Sequence, residues 1–321
     1  MRAIVLRRFG APEELRLQDV ADPEPGPREV RIAVAAAGTN PVDAGNRDDG
    51  SWAGIEVPFV LGYDVAGAID AVGTEVDHMS VGDTVMAMTG FPRGAGGYAQ
   101  LVVTDSDLVA TLEPGIDLVE AAATPLAAGT ALEVLERLAV PRGGTLLVLG
   151  ASGGVGLFLL QLASHAGLEV IAVGGRASHE RMGELGAAAC IDYTSEDVAQ
   201  RATEIADGPV DAIADLVGSH QLTRSLHALR PHGSAASIAT PELDLDLVLD
   251  HNITFHGVLI EDDGDRTRRL AELLSTGVLR PHVSHVLPLE EAAQAHRLLE
   301  SGHAGGKIVL VVDPSRVTDD G

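Results

Sequence analysis

Cysteine is nearly missing from this chain: 321 residues carry a single one, Cys190. That excludes an internal disulfide framework and any cysteine-built metal cluster, and a cytoplasmic location is the expectation that follows. Aromatic residues make up only 3% of the sequence, so the core has to be aliphatic. Basic residues are scarce as well, 22 against 47 acidic ones, for a formal charge of −25. Nucleic acids and anionic membrane surfaces both require a basic footprint, so neither is expected as a partner. No apolar run approaches a membrane span, and Met1 to Leu6 is too short for the apolar core of a secretion signal.

What is present is an aliphatic, glycine-rich globule, 45% hydrophobic with 37 glycines spread along its length, and long enough for two domains. The most informative stretch is Thr145 to Gly156, TLLVLGASGGVG. Its apolar start shows no alternation, which suits a strand buried on both faces of a parallel sheet. Gly150, Gly153 and Gly156 then let the chain turn sharply, bring bare backbone against a pyrophosphate and pack the next helix closely. Ser152, Gly153, Gly154 and Val155 are therefore expected to cradle the phosphates of a dinucleotide, with the amides and dipole of the helix beginning beyond them facing the charge.

A second strand, Glu169 to Val173, follows at the distance a βαβ unit requires. It ends in Gly174, Gly175 and Arg176 with no acidic residue. A carboxylate there would hold the ribose hydroxyls of NAD, whereas small residues and an arginine leave room for a 2′-phosphate, so the cofactor expected is NADP, used as NADPH.

Met1 to about Thr124 reads as all-β. Ala3 to Leu6, Glu29 to Ala36, Val65 to Val72, Thr84 to Met88 and Tyr98 to Val103 are short strands set off by Pro and Gly clusters, the pattern of a small barrel. Helical spacing begins at Asp117, with breaks expected at Pro125 and Gly129. From there to residue 260 strands and helices alternate, giving six parallel strands in a doubly wound sheet with its ligand crevice at their carboxyl ends. Residues 261–321 hold two helical stretches and the strand Lys307 to Val312, and are expected to return to the first domain, leaving a cleft. The expected domains are thus 1–124 and 261–321 for the barrel and 125–260 for the dinucleotide fold, with Thr318 to Gly321 a frayed end. His282 and His285 have ligand-like spacing but read as a surface pair in a connector beside Pro281.

The order of motifs resembles the medium-chain dehydrogenase/reductase superfamily, and within it the zinc-free NADPH:quinone oxidoreductase group that includes zeta-crystallin. The resemblance is carried by Ala37 to Asp43 (AGTNPVD), Gly62 to Gly67 (GYDVAG), Gly96 to Gln100 (GGYAQ), Thr124 to Thr130 (TPLAAGT), Gly150 to Gly156 (GASGGVG) and Gly306 to Leu310 (GKIVL). It implies a GroES-like β-barrel catalytic domain joined to a Rossmann domain, together an α/β protein.

Departures from the zinc-dependent branch carry further information. Where similar zinc alcohol dehydrogenases place a cysteine after Gly38-Thr39, this chain has Asn40, and where they place a His-Glu pair after Gly62 it has Tyr63-Asp64. Tetrahedral zinc needs histidine, thiolate or carboxylate ligands, so no metal site is expected. Without a Lewis acid to lower the pKa of a bound hydroxyl, alcohol oxidation is disfavoured, while hydride addition to a quinone or conjugated alkene stays feasible.

The resemblance and the chemistry together suggest residue roles. Tyr63 is expected to donate a hydrogen bond or proton to the acceptor oxygen, with a pocket-lining aromatic as the alternative. Asn40 is expected to anchor the substrate or the nicotinamide ribose, or else to serve as a turn residue before Pro41. Asp43 could orient neighbours or cap a turn. Thr130 is implied near the nicotinamide amide, Gly175, Arg176 and Tyr193 near the adenosine 2′-phosphate, Val217 beneath the nicotinamide, and Lys307 in reach of the cofactor. The acceptor pocket is expected to be lined by loops at Arg47 to Glu56 and Gly90 to Gly96. Ile253 to Leu259 is expected at a sheet edge, pairing across a two-fold axis in a homodimer. Reduction of enones or enoyl thioesters, or a catalytically weak NADPH-binding sensor, are the competing functions.

Overall fold

A computed structural model of the chain describes residues 1–218, 220–302 and 304–317. Two compact units are present, Met1–Gly129 with Glu261–Gly321, and Thr130–Ile260. The expected frayed end, Thr318 to Gly321, lies outside the described residues.

The first unit opens with β1 (Arg2–Leu6), β2 (Leu15–Asp19) and β3 (Glu29–Thr39). β3 alternates half-buried and buried residues at first and is wholly buried from Ala35 to Thr39, where its small side chains lie in the middle of the sheet. α1 (Pro41–Asp49) follows, then β4 (Phe59–Val60), β5 (Asp64–Val72), β6 (Thr84–Met88), β7 (Leu101–Asp105), β8 (Val109–Thr111) and α2 (Leu118–Ala122). α3 (Pro125–Leu138) starts in this unit and ends in the second. Proline at its first position supplies a preset φ where no amide partner is required.

The second unit alternates strand and helix: β9 (Thr145–Leu149), α4 (Gly154–His165), β10 (Glu169–Gly174), α5 (His179–Glu184), β11 (Ala189–Asp192), α6 (Val198–Ile205), β12 (Val210–Asp215), α7 (Gln221–Ser225), β13 (Leu229–Ser237), α8 (Leu245–Asp250) and β14 (Thr254–Gly257). The six strands run parallel in the order β11-β10-β9-β12-β13-β14. From β9 the chain winds outward to β11, then crosses back to β12 on β9's other side. The carboxyl ends of β9 and β12 therefore flank the switch point at which doubly wound sheets bind ligands. Leu147, Ile171 and Ile213 are buried at the sheet centre, in keeping with a sheet covered on both faces.

The chain then returns to the first unit with α9 (Gly264–Ser275), β15 (Val283–Pro288), α10 (Ala292–Glu300), β16 (Lys307–Val311) and the short α11 (Pro314–Val317). β16 lies antiparallel to β3, with Ile308 opposite Thr39 and Val311 opposite Ala36. The sheet order is β15-β16-β3-β5-β6-β8, with β7 also on β3. Ile308 and Leu310 are fully buried in the first unit's core, each a burial of about 1.5–3 kcal/mol. That burial fastens the last strand to the first domain's sheet.

Several expectations need correction. The first unit is not all-β, since α1 and α2 lie within it. α3 runs through Gly129 without a break, because its neighbours Ala127, Ala128 and Ala131 are buried and hold the helix together by packing. The strand expected from Tyr98 begins at Leu101. His285 stands on β15, a parallel partner of β16, and not in a connector.

Candidate functional site

The glycine-rich turn separates glycines required by the protein's own packing from one that is not. Gly150 has φ +77°, and a Cβ on it would meet Val217 Cγ2 at 2.6 Å. A Cβ on Gly156 would stand 2.5 Å from the Ala151 carbonyl oxygen. Gly153 differs: its φ is −81°, and the nearest atom to an added Cβ is the Gly150 oxygen at 3.5 Å. The protein leaves space there, as a phosphate cradle requires.

Gly153 is also the N-cap of α4 and is solvent-exposed, with Gly154 and Val155 half-buried behind it. The first amides of a helix have no intrahelical acceptor. An anion seated on Gly153, Gly154 and Val155, with Ser152 beside them, fits this geometry.

The ends of the neighbouring strands carry the other residues expected at the cofactor. After β10 come half-buried Gly175 and exposed Arg176, and no carboxylate. Tyr193, 53% exposed, follows β11 and lines a cavity of about 450 Å³ together with Glu196, Asp197, Gln221, Arg224 and His227. Val217, also 53% exposed, follows β12. Its loop is fixed by buried Asp215, whose Oδ1 accepts from the amides of Val217 (3.1 Å) and Gly218 (3.0 Å), while Ser237 Oγ donates to Oδ2 at 2.8 Å. Asp215 and Arg224 escape a sequence reading. Asp215 lies within an apolar strand, and Arg224 reaches the cavity only through the docking of α7.

In the first unit the residues of the AGTNPVD and GYDVAG stretches meet the last strand. Lys307, 4% exposed at the start of β16, donates from Nζ to Asn40 Oδ1 at 2.5 Å and to the Thr39 carbonyl at 2.9 Å. The same ammonium lies 3.6 Å from Asp64 Oδ2. Asn40 Nδ2 donates to that oxygen at 2.8 Å, and the Leu126 amide donates to Asp64 Oδ1 at 2.8 Å. Burial pushes Asp64 upward and Lys307 downward, each toward its neutral form, and their mutual attraction opposes both shifts. The Lys307 ammonium is thus held by Asn40, Thr39 and Asp64.

Asn40 precedes α1 as its N-cap residue, and Asp43 Oδ2 accepts the Asn40 amide at 2.8 Å, half of a capping box. Asp43 Oδ1 accepts the Gly62 amide at 3.3 Å. Burial, reinforced by the charge on Asp64, raises the Asp43 carboxyl to about 7. Arg47 is buried on α1, so it is not the pocket loop expected from Arg47 onward.

Tyr63 lies in the same unit. It is fully buried, its hydroxyl donates to the Pro92 carbonyl at 2.9 Å, and Asn46 Nδ2 donates to it at 2.7 Å. Burial raises its pKa above the usual phenol value. The proton thought to be available to an acceptor is already engaged by Pro92. Asn46 Oδ1 in turn accepts from Trp52 Nε1 at 2.7 Å, and the Phe91 ring packs edge-on to Tyr63, with centroids 5.0 Å apart. Tyr63 thus ties the segment around Trp52 to the segment around Pro92. Thr130, implied near the nicotinamide, lies buried within α3.

Among the described residues no group of three or more His, Cys, Asp or Glu side chains is arranged to hold a metal ion.

Comparison with known proteins places this geometry in a family. Residues 26–114 match the alcohol dehydrogenase GroES-like domain and residues 185–310 the zinc-binding dehydrogenase domain. A quinone oxidoreductase of Pseudomonas aeruginosa is 33% identical over 97% of this chain and 99% of its own length. An NADPH-dependent alkenal/one oxidoreductase of Arabidopsis thaliana is 30% identical over 98% of this chain and 80% of its own. The structure of an Escherichia coli quinone oxidoreductase complexed with NADPH superposes with a TM-score of 0.89 at 26% identity, covering 97% of this chain and 100% of the other. The chain belongs to the quinone oxidoreductase family of medium-chain dehydrogenase/reductases. It is an oxidoreductase with a GroES-like domain and a six-stranded Rossmann sheet.

Proposed function

We propose that this oxidoreductase uses NADPH to reduce quinones, and does so without zinc. The observation that carries the reading is the Lys307 ammonium lodged against Asn40 and Asp64. Asn40 stands where the resembling zinc dehydrogenases carry a cysteine and Tyr63-Asp64 where they carry a His-Glu pair, and here the oxygens of Asn40 and Asp64 are engaged by a cation of the protein's own. Tyr63 adds only a phenol that is already bonded on both sides. Such a site favours an acceptor that is electrophilic without metal activation.

The residues divide the work as follows. The amides of Gly153, Gly154 and Val155 hold the pyrophosphate, and Arg176, with Gly175 and Tyr193, holds the 2′-phosphate end. Thr130 and Val217 border the nicotinamide. Bound NADPH supplies the hydride. Asn40 gives one amide hydrogen to Asp64 and keeps the second for an acceptor oxygen or a ribose hydroxyl. Lys307, donating to Asn40 Oδ1, orients that amide. Hydride and one proton from solvent convert the quinone to hydroquinone.

A steady-state panel tests the reading. NADPH oxidation with a benzoquinone and a phenanthrenequinone is expected to exceed that with small enones, and turnover of enones alone would overturn the quinone assignment. Arg176→Ala is expected to raise the KM for NADPH roughly tenfold or more and leave that for NADH unchanged. Reduction of activated alkenes is the second reading, supported by the likeness to the alkenal/one oxidoreductase. A homodimer through β14 belongs to the same proposal. Among the described residues that strand pairs on one side only, and Leu245, Leu249 and Leu259, which flank it in sequence, are exposed. Light scattering at working concentration checks it.

A further inference from the structure

Among the described residues, five buried side-chain nitrogen or oxygen atoms have no hydrogen-bond partner, and four of them belong to Arg47, Tyr98 and His296. The three residues come together in the first unit. The rings of Tyr98 and His296 meet edge to face with centroids 5.9 Å apart, and the Arg47 charge acts on His296. Arg47 Nε donates to the Gly10 carbonyl at 2.7 Å and Nη2 pairs with Glu300 Oε1 at 2.5 Å, which leaves Nη1 inside and unpaired. The Tyr98 hydroxyl lies beside Asp43 without completing a hydrogen bond of ordinary geometry. Both ring nitrogens of fully buried His296 are bare.

Leaving so many polar atoms dry in one place would cost several hydrogen bonds, and buried polar groups in folded proteins are nearly always satisfied by protein or by ordered water. The hydrogen-bonding chemistry selects the occupant. Burial, reinforced by Arg47, lowers His296 to about 3, so its ring is neutral and presents one donor and one acceptor. Arg47 Nη1 and the Tyr98 hydroxyl add donors. A small anion could only accept and would leave the imidazole acceptor bare, whereas water accepts from the donors and donates to the ring.

We propose that Arg47, Tyr98 and His296 enclose a buried water-binding site whose one or two waters complete these hydrogen bonds and connect them to the Asp43 carboxyl. The site does not depend on the substrate assignment. It gives Asp43, which accepts the Asn40 amide, a polar path toward the surface at Glu300.

The test uses the full chain and two substitutions whose effects change sign with the answer. In a wet site, His296→Leu and Tyr98→Phe strip hydrogen bonds from the remaining groups, and Tm is expected to fall by about 2–4 °C or more for each. In a dry site the same substitutions delete unsatisfied polar atoms, and Tm rises or holds. A rise or no change in both variants overturns the proposal. A high-resolution crystal structure of the unmodified chain decides independently, including if a variant fails to fold. Solvent density within hydrogen-bonding distance of at least two of the three residues supports the site. Absence of density, or direct pairing among the three side chains, overturns it.

Discussion

Lys307 Nζ rests 2.5 Å from Asn40 Oδ1, joining residues 267 positions apart. The contact makes the last strand of the chain part of the polar centre of the first domain, and puts a buried cation opposite the buried carboxylate of Asp64.

Removing that cation leaves Asp64 charged and unpaired in a dry interior. Lys307→Met is expected to lower stability by about 3–5 kcal/mol, and the double variant Lys307→Met/Asp64→Leu to recover much of the loss. Urea unfolding of the four proteins in the cycle measures the coupling.

Asp43 titrates near neutrality in the folded protein, at about 7, against roughly 3.9 in an unfolded chain. The folded state therefore binds the proton more tightly, and this group's contribution is fully present below about pH 4 and is lost as pH rises through about 7. Plotting unfolding midpoints against pH, the difference between the wild type and Asp43→Asn is expected to slope downward across that window. A flat difference would contradict it.

Gly153 and Gly156 differ in what they make room for. Gly156→Ala drives a methyl into the Ala151 carbonyl at 2.5 Å and is expected to cost about 1–3 kcal/mol of stability or more. Gly153→Ala meets nothing closer than 3.5 Å. Its melting temperature without cofactor is expected to stay near wild type, with NADPH affinity lowered roughly tenfold. Thermal melts and a fluorescence titration with NADPH separate the two effects.

Tyr63→Phe distinguishes a framework role from a proton source. Loss of the bonds to Pro92 and Asn46 is expected to lower stability by about 1–2 kcal/mol. Catalysis should change less than the roughly 10²–10⁴-fold loss that follows removal of a general acid. Steady-state kcat with a quinone is the measurement.

The second domain is legible from sequence because its strands are continuous aliphatic runs whose burial matches their pattern. TLLVL forms β9 with the boundaries its composition suggests, and the alternation of strand and helix marks a parallel, doubly wound sheet. The first domain is less legible where its interior is polar. α1, with the sequence PVDAGNRDD, buries Asp43, Asn46 and Arg47, so no apolar stripe marks it as a helix. The contact among Asn40, Asp64 and Lys307 is hidden for a related reason. The sequence marks each of them singly, but only the antiparallel pairing of β16 with β3 brings them into one network.

That pairing also sets an order of events during synthesis. Thr39 and Asn40 leave the ribosome with Asp64 soon after, yet the lysine that binds them follows the Thr39 carbonyl by 268 residues, roughly 15–50 s later at ordinary elongation rates. The nascent amino-terminal domain has to wait, its acid without a counter-ion and its sheet without β16, while the Rossmann domain emerges whole and free to fold. The domain whose synthesis begins second is the first to have its whole sequence available.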